Sequence, residues 1–368
     1  MIRLLYVILL ISLFGCSQSE TVHSEYMSLE DVKYVDAPLQ LIHLQDNGAD
    51  IPKLQDIPIK NFCFYDSLMM VSTYRDKGLL EILSINELKS YGSLINKGKA
   101  NGEFVYGINI TLQTTFSSKK DSIYAHSYDP VTGRLYKINI TDKTDNNIIN
   151  IEEETIFNKM PHSAFWAKMI SDTCCILRSI DNMETRQLRS IITPNTKQTK
   201  NKAIELLNDF EIPMNEDFNI MSSLVALSPQ RDMIVEAPLG MNYINIYSPI
   251  TGDGFTLCTE NKMDKLSHII STSKYDRKYM FADLRAYNFG FAILKYDIKE
   301  NIYQSAGKYS PTILLFDWKG TPLGEIKPPT KYSHFDFDLK NGYLYILNTD
   351  GHLKKYKCDF LKALYNIK

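Results

Sequence analysis

The sequence predicts an all-β protein, a six-bladed β-propeller of four-stranded antiparallel blades. Three observations support this fold class. Apolar runs of about five to eight residues, rich in Tyr, Phe, Ile and Val, alternate with Asp, Asn, Gly and Pro. One kind of turn recurs along the chain. A spare strand near the N-terminus matches a strand that is missing from the last repeat.

The N-terminal segment "MIRLLYVILLISLFGCSQSE" has the features of a secretion signal. Arg3 is followed by an apolar run over 4–14, which is shorter than the ~20 residues of a membrane span and suits the apolar part of a signal peptide. Leu13-Phe14-Gly15-Cys16 resembles the bacterial lipobox. We therefore expect cleavage before Cys16 and diacylation of its thiol, which gives stable membrane anchoring. Ordinary secretion with a coincidental cysteine is the alternative.

This interpretation divides the chain into three parts. Residues 1–15 are predicted to be a lipoprotein signal peptide, 16–37 a polar lipid-anchored tether, and 38–368 a single propeller domain. Ser17, rather than Asp, follows the cysteine, and by resemblance to a known sorting rule this predicts the outer membrane of a Gram-negative bacterium.

Composition narrows the function classes. The formal net charge is −2, whereas nucleic-acid binders are normally strongly basic, so a nucleic-acid partner is not expected. With Cys16 lipidated, five cysteines remain and no C-x-x-C occurs. We therefore interpret these five as buried thiols rather than a disulfide framework. No cofactor-binding motif is present, and no cofactor is expected.

The repeat is recognised through turns in which Asp or Asn precedes a hydrophobic strand. These turns lie about 50 to 60 residues apart, just above the periods of known propeller repeats. They centre on Asp66, Asp121, Asp172, Asp232, Asn288 and Asn341.

Each repeat can hold four strands. In the first, the strands are predicted near 60–65, 67–73, 79–85 and 91–96. The last repeat has room for only three, so the segment "PLQLIHL" at 38–44 is predicted to complete it, closing the ring and removing open sheet edges. The third repeat is weakly patterned after Ile180, which leaves seven blades open, and "NKAIELLNDF" at 201–210 is the best short helix.

Several segments together resemble one family. The lipobox, "YDSLMMVSTYRDKGLLEILSI", "GSLINKGKANGEF" and "ILLFDWKGTPLGEI" resemble the TolB-like six-bladed propeller lipoproteins of Bacteroidetes over essentially the whole mature chain. Gly98, Gly102, Glu103 and Phe104 keep the outline of that family's motif after the first blade. The resemblance implies a propeller lipoprotein and carries over no catalytic residue.

The stretch "GSLINKGKANGEF" over 92–104 lacks the residue order and the strand–loop–helix context of a phosphate-binding loop. We interpret it as the link from the first blade to the second, on a face near the channel mouth. Lys97, Lys99 and Glu103 are therefore candidate ligand-binding residues, and a solvated turn is the alternative.

Two histidines and one carboxylate suggest a rival function. His162 and His334 both lie near the start of a predicted innermost strand, and Asp336 follows His334 closely. If they converged in the channel they could bind a metal, as in a metal-dependent lyase or hydrolase. Satisfied or solvent-facing histidines are the alternative, and no G-x-S-x-G nucleophile motif occurs.

The fifth repeat carries a long segment, "DIKENIYQSAGKYSP" at 297–311. Tyr303, Lys308 and Tyr309 could form a recognition surface there, because aromatic residues anchor interfaces well. An unstructured surface insertion is the alternative. The leading functional hypothesis is a lipid-anchored envelope module that binds a protein, peptide or glycan partner, or serves as a scaffold.

Overall fold

In the computed structural model of the chain, the described residues form twenty-five strands in six sheets. The structure describes residues 24–35, 40–44, 48–141, 151–154, 157, 160, 164–194, 201–304, 311–329 and 331–365. Three short strands lie near the N-terminus: β1 (Val32–Tyr34), β2 (Leu41–His43) and β3 (Ala49–Asp50).

Blades one to three follow in chain order. Blade one holds β4 (Ile59–Tyr65), β5 (Leu68–Thr73), β6 (Lys77–Ser84) and β7 (Ser90–Asn96). Blade two holds β8 (Thr114–Lys119), β9 (Ser122–Asp129), β10 (Arg134–Asn139) and β11 (Ile151–Glu153). Blade three holds β12 (Ala164–Ser171), β13 (Cys174–Ile180) and β14 (Gln187–Ile192).

Blades four to six complete the ring. Blade four holds β15 (Ser223–Leu227), β16 (Ile234–Pro238), β17 (Tyr243–Tyr247) and β18 (Gly254–Cys258). Blade five holds β19 (Lys278–Tyr287), β20 (Gly290–Lys299), β21 (Thr312–Asp317) and β22 (Pro322–Lys327). Blade six holds β23 (Tyr332–Asp338), β24 (Tyr343–Asn348) and β25 (Leu353–Lys357). The predicted six-bladed propeller is confirmed.

Short helices lie between strands: α1 (Ile110–Gln113), α2 (Lys202–Asn208), α3 (Leu266–Ser271) and α4 (Glu300–Gln304). A fifth helix, α5 (Phe360–Tyr365), follows β25. Single 3-10 turns occur at Pro52–Leu54, Phe218–Met221 and Lys274–Asp276. The helix predicted at 201–210 corresponds to α2. Within the described part of the chain, every helix is too short or too polar to cross a lipid bilayer.

The recurring turns join the innermost strand of each blade to the second strand. Asp66 adopts a φ of 54° between β4 and β5, in the left-handed region that Asp tolerates better than most residues. Lys120 and Arg231 take the same conformation in the matching turns of blades two and four. The turns recognised in the sequence thus mark one structural position in all six blades.

Successive strands of a blade run in opposite directions, so successive turns lie on opposite sides of the ring. We call the side that carries the turns between first and second strands the hairpin face. The opposite side carries the segments that lead from one blade to the next and the turns between second and third strands, and we call it the link face.

An N-terminal strand does close the last blade, but it is not the one predicted. β3 pairs antiparallel with β25 and supplies the fourth strand of blade six, through Ala49 and Asp50. The segment predicted for that role contains β2, which pairs parallel with β22 at the outer edge of blade five. β1 likewise pairs parallel with β18 on blade four. The chain therefore covers three outer edges before the first blade begins.

Residues 24–35, expected to be tether, pack on blade four. Met27 is fully buried and its N–H donates to the Tyr243 hydroxyl at 3.0 Å. The Leu29 N–H donates to the Thr256 hydroxyl at 2.8 Å. Only two apolar side chains of this segment are buried. Its sequence is otherwise polar and shows no strand periodicity, so it does not indicate that the segment packs on the propeller.

Blade three explains the weak pattern after Ile180. Among the described residues its sheet contains three strands, and α2 packs against β14 where an outer strand would otherwise pair. The Asn208 side chain accepts from the Arg189 N–H at 2.7 Å and donates to the Arg189 carbonyl at 2.9 Å. One amide side chain therefore satisfies backbone groups that a neighbouring strand would satisfy.

A buried ion cluster holds blade three against blade four. The Glu236 carboxylate is fully buried and accepts from Arg189 Nη2 at 2.6 Å and from Arg178 Nη1 at 3.2 Å. The Ser223 and Tyr247 hydroxyls also donate to it, at 2.6 and 3.3 Å. Burial alone would raise the pKa of Glu236, but the two guanidinium groups lower it to about 2.

Candidate functional site

A cavity of about 530 Å³ lies on the propeller axis. Its walls come from the innermost strands of several blades, and its rim comes from hairpin-face turns such as 66–67 and 228–231, together with Tyr365 of α5. On the link-face side, α1 contacts strands of blades one to four and lies across the axis. The cavity therefore opens at the hairpin face, and its volume suits a small molecule.

Side chains satisfy the inner edges of the blades around this cavity. Asp336 Oδ2 on blade six accepts from the Phe64 N–H on blade one at 2.8 Å. Asp283 Oδ2 on blade five accepts from the Phe335 N–H on blade six at 3.1 Å. The innermost strands have no sheet neighbour on the axis side, so these carboxylates pair groups that would otherwise be left unsatisfied.

Arg285 joins the two carboxylates. Its guanidinium contacts Asp283, lies 3.7 Å from Asp336 Oδ2, and donates to the Phe62 carbonyl at 3.1 Å. Tyr287 donates to Asp336 Oδ1 at 2.7 Å. Burial raises the pKa of Asp336, whereas Arg285 holds the pKa of Asp283 below its usual value despite burial. Arg285 is thus a compensated cation.

Lys168 is a buried lysine in the wall of the cavity. It lies in the innermost strand of blade three and is 3% exposed. Its ammonium donates to the carbonyls of Thr111 and Thr114, at 2.8 and 2.7 Å. Among the described residues no carboxylate lies within 4 Å of it. Burial lowers the pKa of Lys168 to about 7. A charge buried without a counter-ion destabilises a fold.

Arg231 is a second cation of the cavity wall. It lies in the turn between β15 and β16, and its Nη2 donates to the Phe116 carbonyl at 3.3 Å. It also has no carboxylate within 4 Å in the described ranges. The carboxylates of the lining are engaged or peripheral: Asp336 with Arg285, Asp338 with Asn341, and Asp66 exposed at the rim. The wall therefore carries two cations, Lys168 and Arg231, that no carboxylate of the described ranges neutralises.

Cys63 lines the same cavity, but burial raises the pKa of its thiol well above the usual value. The thiol form is a poor nucleophile. Cys63 packs in the apolar cluster of blades one and two, and its place is structural.

The residues of the metal hypothesis are engaged elsewhere. His334 Nδ1 lies 3.3 Å from Asp283 Oδ2, and Asp336 binds Tyr287 and backbone N–H groups. His162 lies outside the described residues. Within the described ranges, no group of three or more His, Cys, Asp or Glu side chains is arranged to hold a metal.

The candidates in the first blade-to-blade link lie away from the cavity lining. Lys97 pairs with Asp76 at 3.2 Å, and both are exposed. Lys99 is exposed. The Glu103 carboxylate accepts from the Ala100 N–H at 2.9 Å and stabilises its own loop. These residues lie on the link face, opposite the cavity opening.

Most of the remaining candidate residues lie outside the part of the chain that the structure describes. Tyr303 belongs to α4, between β20 and β21 on the link face, and its side chain is not described. Cys16, Lys308 and Tyr309 lie outside the described residues.

The sequence contains a signal for two cations of the innermost strands, Lys168 and Arg285. Lys168 stands in the apolar run "AFWAKMIS", and Arg285 in "FADLRAY". A charged residue inside an apolar inner strand indicates a partner or a function. Arg231 had no comparable signal, because it lies in a polar turn.

The chain is similar to several solved structures at low sequence identity. No protein-family model matches the chain, and a search of curated proteins finds no significant match. A solved DUF4221-family protein from Bacteroides vulgatus has a TM-score of 0.49 and 13% identity, over 86% of this chain and 94% of that one.

Two further solved structures are similar at lower scores. Hydrazine synthase from Kuenenia stuttgartiensis gives a TM-score of 0.44 and 11% identity, over 85% of this chain and 81% of that one. The β-propeller domain of Cps50 (Swd1) from Myceliophteria thermophila gives a TM-score of 0.42 and 9% identity, over 84% of this chain and 99% of that one.

Proposed function

We propose that the protein is a lipid-anchored binding module of the cell envelope that takes a small anionic ligand into its axial cavity. The observation that carries this proposal is the pair Lys168 and Arg231, two cations of the cavity wall without a carboxylate neighbour among the described residues. Anchoring through Cys16 in a Gram-negative outer membrane completes the proposal, and the lipobox supports it.

The cavity chemistry favours an anion over a neutral ligand. An ammonium has three N–H donors, and the Thr111 and Thr114 carbonyls use two of those of Lys168. The third is available to a ligand. A carboxylate or phosphate there would remove the cost of an uncompensated buried charge, and hydrogen bonds to ionised groups are stronger than neutral ones.

The binding should depend on pH. The pKa of Lys168 in the free protein is about 7, and an anion binds its protonated form. Above that pH the apparent affinity should fall, approaching about tenfold per pH unit.

Thermal shift measurements test the proposal. We expect succinate, citrate or inorganic phosphate to raise the melting temperature more at pH 6.5 than at pH 8.5, and the responding anion separates carboxylate from phosphate recognition. Lys168→Met and Arg231→Met should abolish the shift. Lys119→Met, at an exposed lysine ending β8 on the hairpin face, should keep it. Equal shifts in all three variants would refute the assignment.

Anchoring is tested separately. Cys16→Ala should release the protein from the membrane fraction, and continued retention would refute lipidation.

A further inference from the structure

Large exposed apolar side chains are concentrated on the link face. In the described part of the chain eleven such side chains are exposed, and seven of them lie in link-face segments. Two lie on the hairpin face, Ile250 and Tyr365. The seven are Tyr74, Tyr106, Val131, Met183, Met214, Tyr275 and Ile302.

Single exposed apolar residues are ordinary on protein surfaces, and the feature of these seven is that they share one face of the ring. The seven positions are spread around the ring. Tyr74, Val131, Met183 and Ile302 lie in turns of blades one, two, three and five. The others lie in the links between blades. A compact protein partner would contact only part of such a ring, whereas a broad flat surface contacts all of it.

The chain also enters the propeller on this face. The Leu266 N–H donates to the Glu25 carbonyl at 3.0 Å, and the Ser267 N–H to the Glu25 carboxylate at 3.1 Å. Both partners begin α3, in the link between blades four and five. Seven residues separate Cys16 from Ser24. At no more than ~3.6 Å per residue, this segment spans roughly 29 Å at most.

We propose that the link face docks on the surface of the lipid bilayer, with these side chains in the interface. The proposal rests on the anchoring at Cys16 proposed above, because a short segment keeps this face beside the membrane. Tyr at three of the seven positions suits the bilayer interface, where an apolar ring meets a polar hydroxyl. The cavity mouth on the hairpin face then opens toward the aqueous side.

Charge predicts what kind of lipid contact this is. On the link face, Lys97 pairs with Asp76 and Lys299 pairs with Asp276, so these positive charges are balanced locally. Lys274, Arg277 and Lys278 of the same face also lie within 4 Å of carboxylates, whereas anionic-lipid binders use clusters of basic residues. Docking should therefore depend on apolar contact and change little between zwitterionic and anionic vesicles.

Hydrogen–deuterium exchange on vesicles tests the docking independently of acylation in cells. The chain starting at Cys16 is coupled through that thiol to a maleimide lipid in phosphatidylcholine vesicles, in a Cys174→Ser background because Cys174 is the partly exposed cysteine among those described. We expect loss of deuterium uptake around residues 74, 106 and 275, and unchanged uptake in the hairpin-face turn at 248–253.

A matched pair of variants sharpens the result. Combined Tyr74→Ser, Tyr106→Ser and Tyr275→Ser substitutions should remove the protection while the protein stays on the vesicles. Combined Ile250→Ser and Tyr365→Ser substitutions should leave it unchanged. These side chains are 54% exposed or more, so neither variant should unfold. Unprotected link-face loops would overturn the docking, as would protection seen only after adding an envelope protein extract. Lipidation itself stands or falls with Cys16→Ala.

Discussion

The ion cluster between blades three and four gives the sharpest stability prediction. Glu236 accepts hydrogen bonds from both guanidinium groups, Ser223 and Tyr247, and is fully buried. Glu236→Gln keeps the shape of the side chain but removes its charge. Two buried guanidinium groups then lack a counter-ion, and the new amide NH₂ faces donors.

The expected loss is large because removing one partner of a buried ion pair costs about 3–5 kcal/mol. At roughly 2 cal/mol/K per residue of unfolding entropy, this lowers the melting temperature by about 5 °C. Urea unfolding and calorimetry measure both quantities. Asp276→Asn is the matched control, since it breaks an exposed pair with Lys299 at 2.9 Å and should cost less than about 1 kcal/mol.

The pKa of Glu236 also predicts how the stability of the fold falls in acid. Its folded pKa of about 2 lies below its unfolded value of 4.5. Its contribution to stability is therefore complete above pH 4.5 and is lost as the pH falls toward 2. The wild type should lose stability over this range more steeply than Glu236→Gln. A Gln variant as stable as the wild type at pH 7 would refute the reasoning.

Three further predictions concern other buried groups. Lys168→Met should stabilise the fold at neutral pH: the folded pKa of about 7 lies below the unfolded 10.5, so wild-type stability rises between pH 7 and 10.5, and urea midpoints should show that rise in the wild type only. Asn208→Ala should cost about 1–3 kcal/mol by leaving backbone groups of Arg189 unsatisfied; rapid exchange of that amide without a stability change would contradict this. Met27→Ala should cost about 2–5 kcal/mol, since the side chain is fully buried, and wild-type stability in this variant would show that segment 24–35 is dispensable.

The blade architecture could be predicted because its signals are local. Strands of blade one were placed within two residues of their observed ends, since a turn such as that at Asp66 fixes where one strand stops and the next begins. The parallel pairing of β1 with β18 and of β2 with β22 could not be predicted, because a single added strand leaves no periodicity in the sequence.

The candidate site was predicted less well for a related reason. A propeller cavity collects residues from distant strands, so Lys168 and Arg231, 63 positions apart, share a wall without any sequence motif. The ligand candidates suggested by the sequence lie on the link face, where the chain is rich in Gly and Lys. The position of α1 across the axis on that side has no signal in the sequence.

The most direct test of the central claim is native mass spectrometry of the protein purified from its own envelope. We expect one copy of a small anionic molecule bound to the wild type and to Lys119→Met, released on denaturation and absent from folded Lys168→Met. A wild type without a bound molecule that also gains no stability from carboxylates or phosphate would contradict it, as would the same bound molecule in Lys168→Met.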